Sequence, residues 1–271
     1  MNINTEKIQF AKNIINECLN NLLLESKYVD NFNKIAKLME FNSDDDFYFV
    51  QIIKRFKDNR NDDRSSGNYH AGAWYGKTYR VRSVEELLSL KPEIIAKCEA
   101  ENARAYITVN NRSEKATNQH IIKYRSQFPS HHPRHIHADD IVPAQAKYGD
   151  NWKGQRLRFF IDIDPPAAIV NNPQKIQKLF ANVKNIINMC GMDILGEYET
   201  PNGGLHIILP DKEHPNIKYL KQMLKSIDAK RDKYGNIIKD RHGNEIWLDK
   251  GRLATAHINF DGLVLLYANI H

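Results

Sequence analysis

At 271 residues, 41% hydrophobic and 27% charged, the chain is long enough for one large domain or for a core domain with a helical attachment. It carries no run of about eighteen apolar residues and no charged-then-apolar leader at its N-terminus, so the expectation is a soluble, cytoplasmic protein with no membrane partner. Thirty-nine Lys and Arg against thirty-three Asp and Glu leave a formal charge of +6, which favours polyanionic partners without naming one.

Residues 5 to 24 place Ile8, Ala11, Ile15, Leu19, Leu22 and Leu23 at helical spacing behind Thr5, and residues 32 to 40 read as a second, short helix. The front of the chain, residues 1–46, is therefore expected to be helical. Phe47 to Ile53 reads as a strand that empties into Lys54, Arg55 and Lys57, and the polar stretch from Asp58 to Gly76 as an exposed loop. Ser83 with Glu86 forms a capping box for a helix through Leu87 and Leu88, and Pro92 is expected to start another turn toward Cys98. Ala105 to Val109 is the next strand. Between Gln119 and Gly154 the periodicity is poor and prolines recur, which predicts an extended connection closing an α/β module over 47–156. Cys18, Cys98 and Cys190 are odd in number and sit in apolar helical patterns, so reduced, buried thiols are expected.

From Leu157 the order becomes informative. A strand over 157–164 precedes a helix over 173–190, opened by Asn172 and Pro173 and closed by Gly191. A strand over 194–199, a turn at Pro201-Asn202-Gly203-Gly204 and a strand from Leu205 to Leu209 follow. A helix over 216–228 and an apolar strand from Leu263 to Tyr267 end the series, with an inserted hairpin suggested by the Gly-centred turns at 232–236 and 240–244. This β-α-β-β-α-β order over 157–271 predicts an α+β fold with an antiparallel sheet, the split arrangement of ferredoxin-like and RNA-recognition-like domains. Two helices would cover one face and leave the other free for a site.

Within the strand Phe159-Phe160-Ile161-Asp162-Ile163-Asp164, alternation points both carboxylates to one face while Ile161 and Ile163 take the other. Like charges on an otherwise buried strand need a neutraliser, and for paired carboxylates that is a hard divalent cation, Mg²⁺ or Mn²⁺. A salt-bridged sheet edge is the competing reading. On a neighbouring strand, after the flexible Gly203-Gly204 turn, His206 is placed to face the acids, either as a phosphate ligand or as a core histidine bonded to backbone. His131, His132, His135 and His137, beside Asp139 and Asp140, suit a transition metal or a polar loop equally.

Hydrophobic-Asp-hydrophobic-Asp followed by Gly-Leu-His on a later strand resembles the archaeo-eukaryotic primase superfamily, the primase-polymerases. Asn102 to Arg112 and Val50 to Asn59 are similar to segments of small phage and bacterial proteins of this type, so the resemblance spans most of residues 47 to 271 and implies a bacterial or phage-infected host cell. It implies that Asp162 and Asp164 bind two divalent metals, that His206 with Gly203 and Gly204 meets the phosphates of the incoming nucleotide, and that a third acid lies on a later strand. His257 stands where that acid is expected; Asp261 and Asp249 are the neighbouring alternatives. Two cations would then flank the reacting phosphate, and Arg104, Arg112 and Lys54 are the candidate cations for the triphosphate.

The expected function is therefore metal-dependent nucleotidyl transfer from nucleoside triphosphates on a single-stranded or template nucleic acid, any helicase being a separate protein. Two other readings stand beside it. One is a metal-dependent nuclease or phosphotransferase on the same fold. The other is a non-catalytic single-strand-binding sheet, which would place aromatics where Asp162 and Asp164 stand.

Overall fold

The computed structural model describes residues 27–55, 58, 73–127, 157–166, 169–201, 203–228, 255–260 and 262–270. The expected helix over 5–24, the His131–His137 cluster, the turns between 232 and 244, Asp249 and Asp261 lie outside these residues.

The described chain is α+β, built on two antiparallel sheets. The larger holds β1 (Lys27–Asp30), β2 (Asp46–Arg55), β3 (Ala73–Val81), β4 (Arg104–Thr108), β5 (Arg112–Ser113) and β10 (Leu263–Ile270), in the order β1–β10–β4–β2–β3 with β5 on β2. The smaller holds β6 (Phe159–Ile163), β7 (Gly196–Glu199), β8 (Leu205–Leu209) and β9 (Ala256–Asn259), in the order β7–β8–β6–β9. The helices are α1 (Phe32–Ala36), α2 (Val84–Glu101), α3 (Glu114–Gln127), α4 (Pro173–Met189) and α5 (Ile217–Lys225), the last running into a 3₁₀ turn at Ser226–Asp228. Among the described residues no helix is long and apolar enough to cross a membrane.

The capping residues act as their chemistry requires. Ser83 Oγ accepts from the Glu86 amide at 3.0 Å, while the Glu86 carboxylate accepts from the Arg82 amide. Asn172 caps α4 through the Lys175 amide with Pro173 in the first turn, and Gly191 follows the helix at φ +68°. Cys98 and Cys190 are free and buried, and burial pushes the Cys98 thiol up to about 12.

Several expectations are corrected. Pro92 starts no new turn, because α2 runs through it: Leu87, Ile94 and Cys98 bury on one stripe and outweigh the single missing N–H. Residues 73–76 belong to strand β3, paired with the second half of β2, and not to a loop. Residues 119–127 are helical. α3 is too polar to announce itself by periodicity, and its start is held by a distant residue, since the Glu114 amide bonds the Asp45 carbonyl and the Lys115 amide its carboxylate, each at 2.8 Å.

The largest correction concerns the last strand. Leu263–Ile270 does not close the smaller sheet; it pairs with β1 and β4 in the middle of the larger one, and Ala256–Asn259 takes its place beside β6. A run that is apolar on both sides requires a position covered on both faces. The half-exposed Ala-His-Ile-Asn segment tolerates an edge. As a result the larger sheet draws strands from the segments before 47 and after 156 as well as from between them.

On the smaller sheet Phe159, Ile161, Ile163, Leu205, Ile207 and Leu209 pack under α4 and α5. The opposite face is not free along its length. Phe160, Tyr198 and Ile208 join Phe32, Leu266 and Tyr267 in the core of the larger sheet. Polar clasps reinforce that seam. Asn31 donates to the carbonyls of Glu199 and Leu265 at 3.2 and 3.1 Å, and the Asn110 side chain bonds both backbone groups of Arg158 at 2.9 and 2.8 Å.

Candidate functional site

β6 is the second strand from one edge of the smaller sheet, so Phe160 to Ile163 have partners on both sides. The register sets Asp162 opposite His206 of β8 and opposite His257 of β9. Directly opposed residues share a face, and one carboxylate therefore stands between two imidazoles. His206 Nε2 lies 3.3 Å from Asp162 Oδ1, and His257 Nε2 lies 3.6 Å from Asp162 Oδ2.

The two histidines differ. His206 is 5% exposed, and its Nδ1 accepts from the Leu265 backbone amide at 3.3 Å. A ring nitrogen that accepts carries no proton, so in the neutral ring the proton sits on Nε2 and is donated to Asp162. With Phe160 packed 4.9 Å from its ring, His206 joins the backbone of the larger sheet to the acid of the smaller one. His257 is one-third exposed, and among the described residues its buried Nδ1 has no hydrogen-bond partner.

Burial raises the carboxyl of Asp162, but the hydrogen bond from His206 and the electrostatic pull of His257 and Arg55 outweigh it and hold the group below its ordinary value. A quarter of the side chain still meets solvent. Asp164, two residues on, is exposed, and its amide still pairs with the Thr255 carbonyl at 2.9 Å, so the strand geometry continues past Ile163.

The Gly203-Gly204 turn lies against this acid. Gly203 takes φ +69°, and its amide closes a turn on the Thr200 carbonyl at 3.1 Å. A Cβ on Gly204 would come within 2.4 Å of the Ile163 carbonyl oxygen and 2.7 Å of Thr200 Oγ1, with Asp164 Oδ1 at 3.5 Å. Only a residue without a side chain fits there.

The expected cations are placed otherwise. Arg104 is buried and forks onto Asp58 through Nε and Nη2 at 2.8 and 2.6 Å. Arg112 is buried and donates to the carbonyls of Asn110 and Asn111 at 2.9 and 3.2 Å. Alternation along β2 puts the partly buried Lys54 on the side of Val50 and Ile52, opposite the side of Ile53 and Arg55. Arg55, one residue later, shares its side with Ile53, lies 5.8 Å over the Tyr106 ring and acts on Asp162. Its type and parity are legible in the sequence; the face turned to the smaller sheet is not.

Among the described residues no three His, Cys, Asp or Glu side chains stand together as a group that could hold a metal ion. A cavity of ≈ 380 Å³ opens at the opposite end of β6, near Arg158, Glu40, Asn42 and Asn111. Its polar groups serve the seam, since Arg158 reaches Glu40 and the Leu38 carbonyl, and Asn111 bonds Asp46. No protein-family model, curated protein or solved structure matches the chain.

Proposed function

We propose that the chain is a metal-dependent nucleotidyltransferase of primase-polymerase type, which adds nucleotides from nucleoside triphosphates on a nucleic-acid template. The reading is carried by the register of β6, which sets Asp162 against His206 at the seam of the two sheets, with Asp164 beside the glycine turn. The order β7–β8–β6–β9, with α4 and α5 on one face, supports the RNA-recognition-like arrangement that the resemblance implies.

Mg²⁺ binds through one or two carboxylates and completes its shell with water and substrate phosphate. Asp162 and Asp164 would hold Mg²⁺ or Mn²⁺, which when bound neutralises charge on the transferring phosphate. His206 orients Asp162 by donating to Oδ1, and a carboxylate oxygen that accepts one hydrogen bond retains a lone pair. His206 thus acts on the carboxylate as a positioning residue. Gly204, having no side chain, lets the turn pack directly against the Ile163 carbonyl and beside Asp164 Oδ1. Arg55 supplies positive charge from the larger sheet.

The test is template-directed incorporation with each nucleotide pool and each divalent metal. Asp162→Asn and Asp164→Asn are expected to lose roughly a thousandfold or more, about 4 kcal/mol of transition-state stabilisation, with thermal unfolding preserved. Wild-type incorporation in both variants rejects the assignment. Release of nucleotides from a labelled strand, with no incorporation, moves the same carboxylates to the nuclease reading.

A further inference from the structure

The two helices over the smaller sheet bury Leu179, Val183, Ile187, Leu220 and Leu224 against it. What they turn outward is unusual in charge. α4 and α5 together contain six lysines and no aspartate or glutamate, and neither has an acid in its first turn, where the helix dipole favours one. Lys175, Lys178, Lys218, Lys221 and Lys225 are exposed. Among the described residues Lys184 is the lysine of these helices that meets a carboxylate, Glu197 at 2.7 Å.

On the larger sheet and its helices four surface cations are paired. Lys77 is paired with Glu93, Lys91 with Asp30, and Arg80 and Arg82 with Glu114. An uncompensated row of ammonium groups repels itself, and a polyanion relieves that repulsion by releasing its own condensed counterions.

From this we infer that the outer surface of α4 and α5 is a docking face for the phosphate backbone of duplex nucleic acid, on the side of the smaller sheet opposite Asp162. The exposed residues between the lysines favour a backbone over other anions. Gln174, Gln177 and Gln222 supply neutral donors of the kind that contact phosphate and sugar oxygens. Single-strand binding relies on aromatic platforms, and Tyr219 is the aromatic exposed on these helices. Membrane adsorption needs an apolar edge, and the other large apolar side chain exposed on them is Met189, at the far end of α4. The face is independent of the chemistry proposed at Asp162.

The experiment is anisotropy of a labelled short duplex bound to the full chain, as a salt series between roughly 50 and 200 mM. The variant Lys175→Gln/Lys178→Gln/Lys218→Gln/Lys225→Gln is expected to bind duplexes of unrelated sequence uniformly more weakly. Its slope of log K against log salt should fall by roughly three to four. The matching Lys→Arg variant should keep the wild-type slope. An unchanged slope in a Gln variant with wild-type thermal unfolding overturns the proposal. So does capture of wild type on anionic vesicles or poly-glutamate as tight as on duplex, if lost in the Gln variant. If the Gln variant unfolds early, Lys175→Gln/Lys178→Gln alone should lower the slope by roughly two, and no change there overturns it equally.

Discussion

Both sheets carry charge inside the protein, and they hold it in different ways. In the larger sheet the side chains of Arg104 and Asp58 are 4% and 7% exposed and closed on each other by a fork of two hydrogen bonds. Asp46 is likewise enclosed by the Asn42 amide, Ser43 and Asn111. In the smaller sheet Asp162 lies between two imidazoles at longer distances and keeps solvent contact, and Asp164 is exposed. A buried, fully bonded pair holds a fold together and has nothing left for a ligand. A carboxylate braced from one side and open on another can take one.

The comparison is most exposed to removal of one partner from each arrangement. Asp58→Ala leaves a buried guanidinium uncompensated and is expected to cost about 3–5 kcal/mol in urea unfolding. Asp162→Ala should cost clearly less in the same assay, and an equal loss would erase the distinction between the sheets. Next in size is Gly204→Ala, whose methyl meets the Ile163 carbonyl oxygen and Thr200 Oγ1 at 2.4 and 2.7 Å. It should lower stability by about 1–3 kcal/mol. Gly203→Ala, strained by φ but meeting Ile176 Cδ1 at an ordinary 3.8 Å, should lose about 1 kcal/mol or less.

His206→Ala sharpens the point in kinetics. A residue that orients Asp162 lowers kcat and kcat/KM together, while a phosphate contact made equally in ground and transition states raises KM alone. The first outcome is expected, since both ring nitrogens are engaged within the protein. The smallest effect is on pH. Because the folded state holds the Asp162 carboxyl below its ordinary value, its contribution to stability is complete above about pH 4. It is lost as pH falls through the depressed value. Acid unfolding curves of wild type and Asp162→Asn should therefore converge below about pH 4 and separate above it.

Much of the smaller sheet was legible because its signals are local. Alternation separated Asp162 from Ile161 and Ile163, Asn172, Pro173 and Gly191 bounded α4, and the glycine pair marked the turn before His206. The larger sheet hid more. β1 is four residues long, α3 is capped by Asp45 from outside its own segment, and β9 has too little apolar pattern to announce a strand. Arg104 and Lys54 read as available cations because charge is visible in a sequence while its partner is not.

What the amino-acid order determined by itself is which residues share a face and where helices start and stop, since those follow from backbone periodicity and from side chains a few positions apart. Only the tertiary structure decided that Leu263–Ile270 crosses into the other sheet, that His257 comes beside Asp162, and that Arg55 acts on it. Those outcomes depend on which apolar surfaces are covered from both sides, and that competition is settled between segments more than ninety residues apart, beyond the reach of any local pattern.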